Sequence, residues 1–309
     1  MKKGILADAK PATQLLFVGL VFIGSWIVFQ LLGMFSGMFI FNLNFQDVAY
    51  TFESINDSKM IGFLKYVQAL TSIGMFIFSA IAAAYYIDYD WKNFLGLNKK
   101  PGLKAVLVSI IFIIIILPFT NFLTEFNSNL HLPEFMGGLE TFFKEKEELM
   151  TKIMESFLQP SGMVGLFVNL LVIAVIPSIG EELTFRGIIQ KVLIRWFKHP
   201  HWAIIVTAFL FSAMHFQFLS FLPRFFLGLV LGYVYLWSGS IWLSILIHFI
   251  NNAMAVIFYN FYYGGKIGDY MEKIGTSENG MPWALAGIIA GIGLLYLIYR
   301  DYKYKNSIS

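Results

Sequence analysis

Eight mostly apolar stretches dominate this chain, at roughly 14–41, 60–87, 103–124, 163–185, 202–220, 222–237, 241–260 and 282–300. About 20 mostly apolar residues suffice to cross a bilayer, so these stretches read as membrane spans. The composition agrees: 58% of the 309 residues are hydrophobic and 13% charged, against roughly 25% charged in a soluble domain. The expected fold is therefore all-α, a polytopic helical bundle of about eight transmembrane helices with one amphipathic interfacial helix. Because the chain has no Cys, disulfides, thiol nucleophiles and Cys-based metal sites are excluded. Its net charge of +3 is spread through the loops and argues for no nucleic-acid partner.

Orientation follows from the Lys/Arg bias of the loops, since basic residues stay cytoplasmic. Lys2, Lys3 and Lys10 precede the first span, which reads as retained rather than as a signal peptide. Lys92, Lys99, Lys100 and Lys104 fall in the second loop, Lys191, Arg195 and Lys198 in the fourth, and Arg300, Lys303 and Lys305 in the tail. The alternate loops are acidic or balanced, with Asp47, Glu53 and Asp57 in the first and Glu140, Glu145, Glu147 and Glu148 in the third. A multi-pass protein of the cell membrane with both termini cytoplasmic is expected.

The third loop carries Leu139, Phe142, Phe143, Leu149, Met150, Ile153, Met154, Phe157 and Leu158 at helical spacing, with Lys144/Glu148 and Glu148/Lys152 as i,i+4 pairs on the other face. That pattern predicts a helix lying on the outer leaflet, with a lid over a site as the sharper reading. Gly33/Gly37, Gly228/Gly232 and Gly287/Gly291 form G-x-x-x-G patterns that let helices approach closely, within the monomer or across a dimer. The oligomeric state is left open.

One stretch breaks the apolar rule. The uncharged run Met163 to Gly180 ends on Glu181-Glu182-Leu183-Thr184-Phe185-Arg186, and charged groups in a span mark a functional site by default. Glu182 and Arg186 are four apart and share a helical face, so they can pair. Glu181 is rotated about 100° away and is free for another partner. His215 lies in the next apolar segment, where a carboxylate one helix earlier is a natural partner. His248 and Asn252, again four apart, point to one spot, as a developing oxyanion would need. By helix rise, His248 falls near the cytoplasmic third of its span, Glu181 near the cytoplasmic end of the fourth, and His215 near mid-bilayer.

Glu181-Glu182-x-x-x-Arg186, Phe211-x-x-x-His215 and His248-x-x-x-Asn252 together resemble the three motifs of the CPBP family, the CAAX-protease and bacteriocin-processing (Abi) membrane proteins. The likeness covers roughly Gly165 to Val256. It implies an intramembrane glutamate-type endopeptidase acting on membrane-bound or lipidated peptides or proteins. Glu181 and His215 would activate water, His248 and Asn252 would form the oxyanion hole, and Glu182 and Arg186 would hold the geometry. Residues 163–260 then read as the catalytic core. Residues 1–162 supply N-terminal spans and the external amphipathic segment; 261–309 supply an external loop, the last span and a cytoplasmic tail.

Two alternatives stand beside this reading. Glu181, His215 and His248 offer the donor set of an open zinc site. Against zinc, the H-E-x-x-H motif is absent, and neither the fifth nor the seventh span holds an acidic partner for either His. No cofactor is the preferred expectation, with Zn2+ as the alternative. A non-catalytic carrier or scaffold using the same polar cluster is the reading from a different class.

Overall fold

A computed structural model describes residues 3–50, 57–159, 162–262, 270–271, 273–278 and 280–308, the last five of these as backbone. Lys2, Glu53 and the Lys305 side chain, all counted in the charge bias, lie outside this description. The fold is an all-α polytopic bundle. Seven helices among the described residues are long and apolar enough to cross a membrane. Those preceding the site are α1 (Pro11–Ile40), α2 (Ser58–Ile87) and α3 (Leu103–Ser128). The amphipathic segment folds as α4 (Gly137–Leu158). The site region comprises α5 (Gly162–Phe197), α6 (Pro200–Ala213), α7 (Phe221–Ser238) and α8 (Ile241–Tyr262). The chain closes with α9 (Met281–Ile308).

Two spans differ from the sequence expectation. The fourth was expected to end near residue 185, yet α5 has 36 residues and continues to Phe197, about 54 Å at 1.5 Å per residue. The polar residues at this end are helical and tied to neighbouring segments, with Gln190 buried, Lys191 half-buried and Arg195 exposed. Gln190 Nε2 donates to Gly232 O at 3.0 Å, Lys191 Nζ donates to Phe94 O, and Arg195 Nη2 donates to Gln14 Oε1 at 2.5 Å. Lys191 and Arg195 are thus helical, and Lys198 alone of that basic trio lies beyond α5. The fifth span, drawn over 202–220, shrinks to the 14 residues of α6, about 21 Å against a hydrocarbon core of about 30 Å.

All three G-x-x-x-G patterns are used for contacts inside the chain. A Cβ on Gly33 would meet Val67, one on Gly228 would meet Ala208, and one on Gly291 would meet Ile116. These close approaches bring α1 against α2, α6 against α7, and α3 against α9. The first and third contacts build the scaffold; the second brings α6 and α7 up to the polar stretch of α5.

Candidate active site

The middle of α5 departs from regular α-helix on both sides of its acidic pair. It widens into π-helical turns at Leu170–Val175 and Phe185–Gln190, with Ile176–Thr184 between them. Pro177 lies inside this continuous helix, where it has no N–H to give the ladder, directly after the π-helical turn that breaks the regular register. Single π turns inside α-helices recur at functional sites because they redirect side chains and free carbonyls. Here the Ile173 carbonyl accepts from Asn252 Nδ2 of α8 at 3.3 Å. Glu181 and Glu182 therefore sit near the centre of a long helix, not near its cytoplasmic end as the sequence reading had it.

Glu182 and Arg186 are both fully buried. Arg186 Nη1 donates to Glu182 Oε1 at 2.7 Å, and Nη2 donates to the Gly228 carbonyl at 3.0 Å. The guanidinium lies 4.7 Å above the Phe211 ring, a cation–π contact strengthened by exclusion of water. The same Glu182 oxygen is 3.0 Å from His248 Nδ1. Glu182 is therefore a hub that joins Arg186 on its own helix to His248 on α8. His248 Nε2 lies 3.9 Å from Glu181 Oε2. That is too long for a direct hydrogen bond, and short enough for one polar atom beside them to touch both. Glu181 Oε2 has no hydrogen-bond partner among the described residues and keeps its lone pairs available.

His215 is not inside a helix. It lies just past the end of α6, and its Nδ1 is 2.9 Å from the Phe211 carbonyl, one of the acceptors that a helix C-terminus leaves unpaired. Donation from Nδ1 leaves Nε2 as the acceptor nitrogen. Phe211 joins the two imidazoles: its ring packs edge-on against His215 at 5.3 Å and against His248 at 5.7 Å. The geometry thus gathers Glu181, Glu182, Arg186 and His248 directly and sets His215 beside them across Phe211, while Asn252 is held on α5 at Ile173, about two turns before Glu181. Asn251 donates to Asn252 Oδ1 at 3.1 Å, which orients the Asn252 carboxamide.

A metal ion would meet a mixed donor set here. His248 Nδ1 against Glu182, and His215 Nδ1 against a backbone carbonyl, are the outer partners a metal-binding His usually has. The acidic partner missing from the fifth and seventh spans is supplied by α5. Among the described residues, however, no three His, Cys, Asp or Glu side chains gather closely enough to hold an ion.

Sequence reasoning passed over two further residues. The segment from His215 to Ser220 has no helical ladder of its own apart from a 3₁₀ turn at Phe218–Ser220. Glu147 of α4 accepts from Leu219 N and from Ser220 Oγ, each at 2.8 Å. Asn127 of α3 donates to Phe218 O at 2.8 Å and accepts from Leu222 N at 2.6 Å. A signal for Glu147 was present: it interrupts the apolar stripe Phe143, Met150, Met154 and Phe157 at helical spacing. The expected pairing of Lys144 with Glu148 is replaced by one with Glu140 at 2.7 Å, on the preceding turn of the helix.

Residues 163–254 match the family model described as type II CAAX prenyl endopeptidase, Rce1-like. No curated protein and no solved structure matches the chain. The matched segment contains every acid, base and amide of the cluster. With the membrane-spanning fold, that match supports a CAAX/CPBP-type intramembrane protease domain over residues 163–254.

Proposed function

We propose that this intramembrane endopeptidase is of the glutamate type and acts on membrane-bound or lipidated peptides, with both chain termini in the cytoplasm. Glu181 Oε2 and the Nε2 lone pair of His215 receive the water. One of them takes a proton as the water oxygen adds to the scissile carbonyl carbon. The same proton then passes to the leaving nitrogen as the C–N bond breaks. His248 Nε2 and the second N–H of Asn252 face the developing oxyanion. For His248 to donate there while Nδ1–H donates to Glu182, both ring nitrogens must carry hydrogen at that moment. Glu182, itself held by Arg186, supplies the counter-charge.

The observation that carries this reading is the unpartnered, buried Glu181 oxygen beside His248 Nε2. Zinc remains the second reading because both imidazoles have their Nδ1 atoms tied back and their Nε2 atoms free. Replacing Glu181 with Gln keeps the shape and removes the base. Cleavage of a quenched fluorogenic membrane peptide should fall by about 10²–10⁴-fold. Undiminished cleavage would overturn the mechanism. Elemental analysis of the same preparations separates the two readings: about one zinc per chain, lost on replacing Glu181, His215 or His248, would establish the metal-dependent one.

A further inference from the structure

We infer that Glu147 on the amphipathic helix α4, assisted by Asn127 on α3, is a positioning residue for His215; this rests on the reading of His215 as part of the water-activating pair. His215 stands on a short connection whose backbone polar groups cannot be left unpaired in a low-dielectric setting. Local bonds satisfy some of them. Ser212 Oγ donates to Phe221 O at 2.6 Å and ties the two ends together, and the His215 and Phe216 amides bond back to Ser212 and Ala213. The far half of the connection depends on residues remote in sequence. Phe218 O and Leu222 N are taken by Asn127, and Leu219 N and Ser220 Oγ by Glu147.

Both anchors are built for the task. Asn127 is 1% exposed and uses its donor and its acceptor ends on the same connection. Glu147 is 7% exposed although its neighbours Glu145 and Glu148 face outward, and both of its oxygens accept from the connection. Phe143, one turn earlier on α4, stacks on Phe218 with ring centres 6.0 Å apart and planes 12° from parallel. Between the anchored half and His215 stands Phe216, a non-glycine residue at φ +52°. That conformation persists only where its surroundings impose it. Glu147 and Asn127 do so by holding residues 218–222, and the imidazole three residues before that segment is held in register with Glu181. An amphipathic helix that looks like a surface float is, on this account, the outer wall of the active site.

The test uses the full chain in detergent with a fluorogenic lipidated peptide. Glu147→Ala should lower kcat by roughly 10²-fold, the scale of a misplaced catalytic group, with KM little changed; Glu148→Ala should leave both as they are. In a His215→Ala background, Glu147→Ala should cost nothing further, because the group it positions is already gone. An equal loss in both backgrounds, or none in the wild type, would overturn the inference. If His215→Ala were itself as active as the wild type, the proposed mechanism would fall and this inference with it, whereas an inactive His215→Ala beside a fully active Glu147→Ala sinks the inference alone. Should Glu147→Ala fail to fold, the Cys-free chain allows a second arm, a Glu147→Cys, Ser220→Cys protein closed by a short bis-alkylating crosslinker, each thiolate displacing one halide. Closing the bridge should restore turnover; equal activity in open and closed forms would again overturn it.

Discussion

Helices α4 and α5 follow one another in the chain, and each carries a Glu paired with a cation four residues on. Glu140 meets Lys144, and Glu182 meets Arg186, both at 2.7 Å. The spacing and the distance are the same, and the consequences are opposite. Lys144 is 41% exposed and Glu140 14%, so water reaches the cation and the contact adds little. Glu182 and Arg186 are at 0%, so each has lost its hydration and depends on the other, on Gly228 O, on His248 and on the Phe211 face. A pair of this second kind is weak evidence of stability. Its persistence in the middle of a membrane helix argues for a chemical use.

The sharpest way to break this contrast is to remove one partner in α5. Arg186→Ala leaves Glu182 buried without its cation and should destabilise the protein by about 3–5 kcal/mol, read from thermal unfolding in detergent. Replacing both partners with apolar residues, as in Glu182→Leu with Arg186→Met, should cost much less stability while abolishing cleavage. If the double variant were no more stable than Arg186→Ala, the pair would be structural, and the comparison with α4 would lose its meaning.

A smaller effect is expected where the backbone supports that pair. A Cβ on Gly228 would lie 3.0 Å from both Cα and Cβ of Ala208. Gly228→Ala must therefore push α7 off α6 and draw its carbonyl away from Arg186, at about 1–3 kcal/mol. A Cβ on Gly138 of α4 meets nothing within 4 Å. Gly138→Ala should instead stabilise by about 0.4–1 kcal/mol through reduced freedom of the unfolded chain. Thermal unfolding that gave both changes the same sign would contradict the picture of a tight seam in one region and an open helix face in the other.

How legible each region was follows from the same physics. Hydropathy marks the spans because burial of apolar side chains in lipid is a local property, and i,i+4 spacing marks Glu182 with Arg186 because one helix settles it. What failed was everything that depends on a distant partner. Lys191 and Arg195 looked like the start of a loop, since only the Phe94 carbonyl and Gln14, far off in sequence, give them partners on the helix. The apolar residues Phe216, Phe218 and Leu219 looked like span, since only Asn127 and Glu147 allow an irregular backbone there. His215 was drawn inside a helix for that reason. The link from Glu182 to His248 was likewise invisible, because two helices separated by two others in sequence must meet to form it.

The smallest effect concerns the exposed pair, and pH separates it from the buried one. Glu140 accepts from Lys144, from His131 and from the Leu132 N–H, and in that order these partners hold its carboxyl down to about 2, from an ordinary value of 4.5. A carboxylate with a depressed folded-state value contributes stability that is complete above the unfolded value and is lost as pH falls through the folded one. Its contribution should therefore be constant from neutral pH down to about 4.5 and disappear by about 2. Glu140→Gln has no such titration, so the gap in Tm between wild type and variant should be modest at pH 7 and should close over that acid window. A gap that stayed constant from pH 7 down to pH 2 would mean that Glu140 holds the start of α4 by its shape and not by its charge. The α4 pair would then no longer be the solvated counterpart of the one in α5.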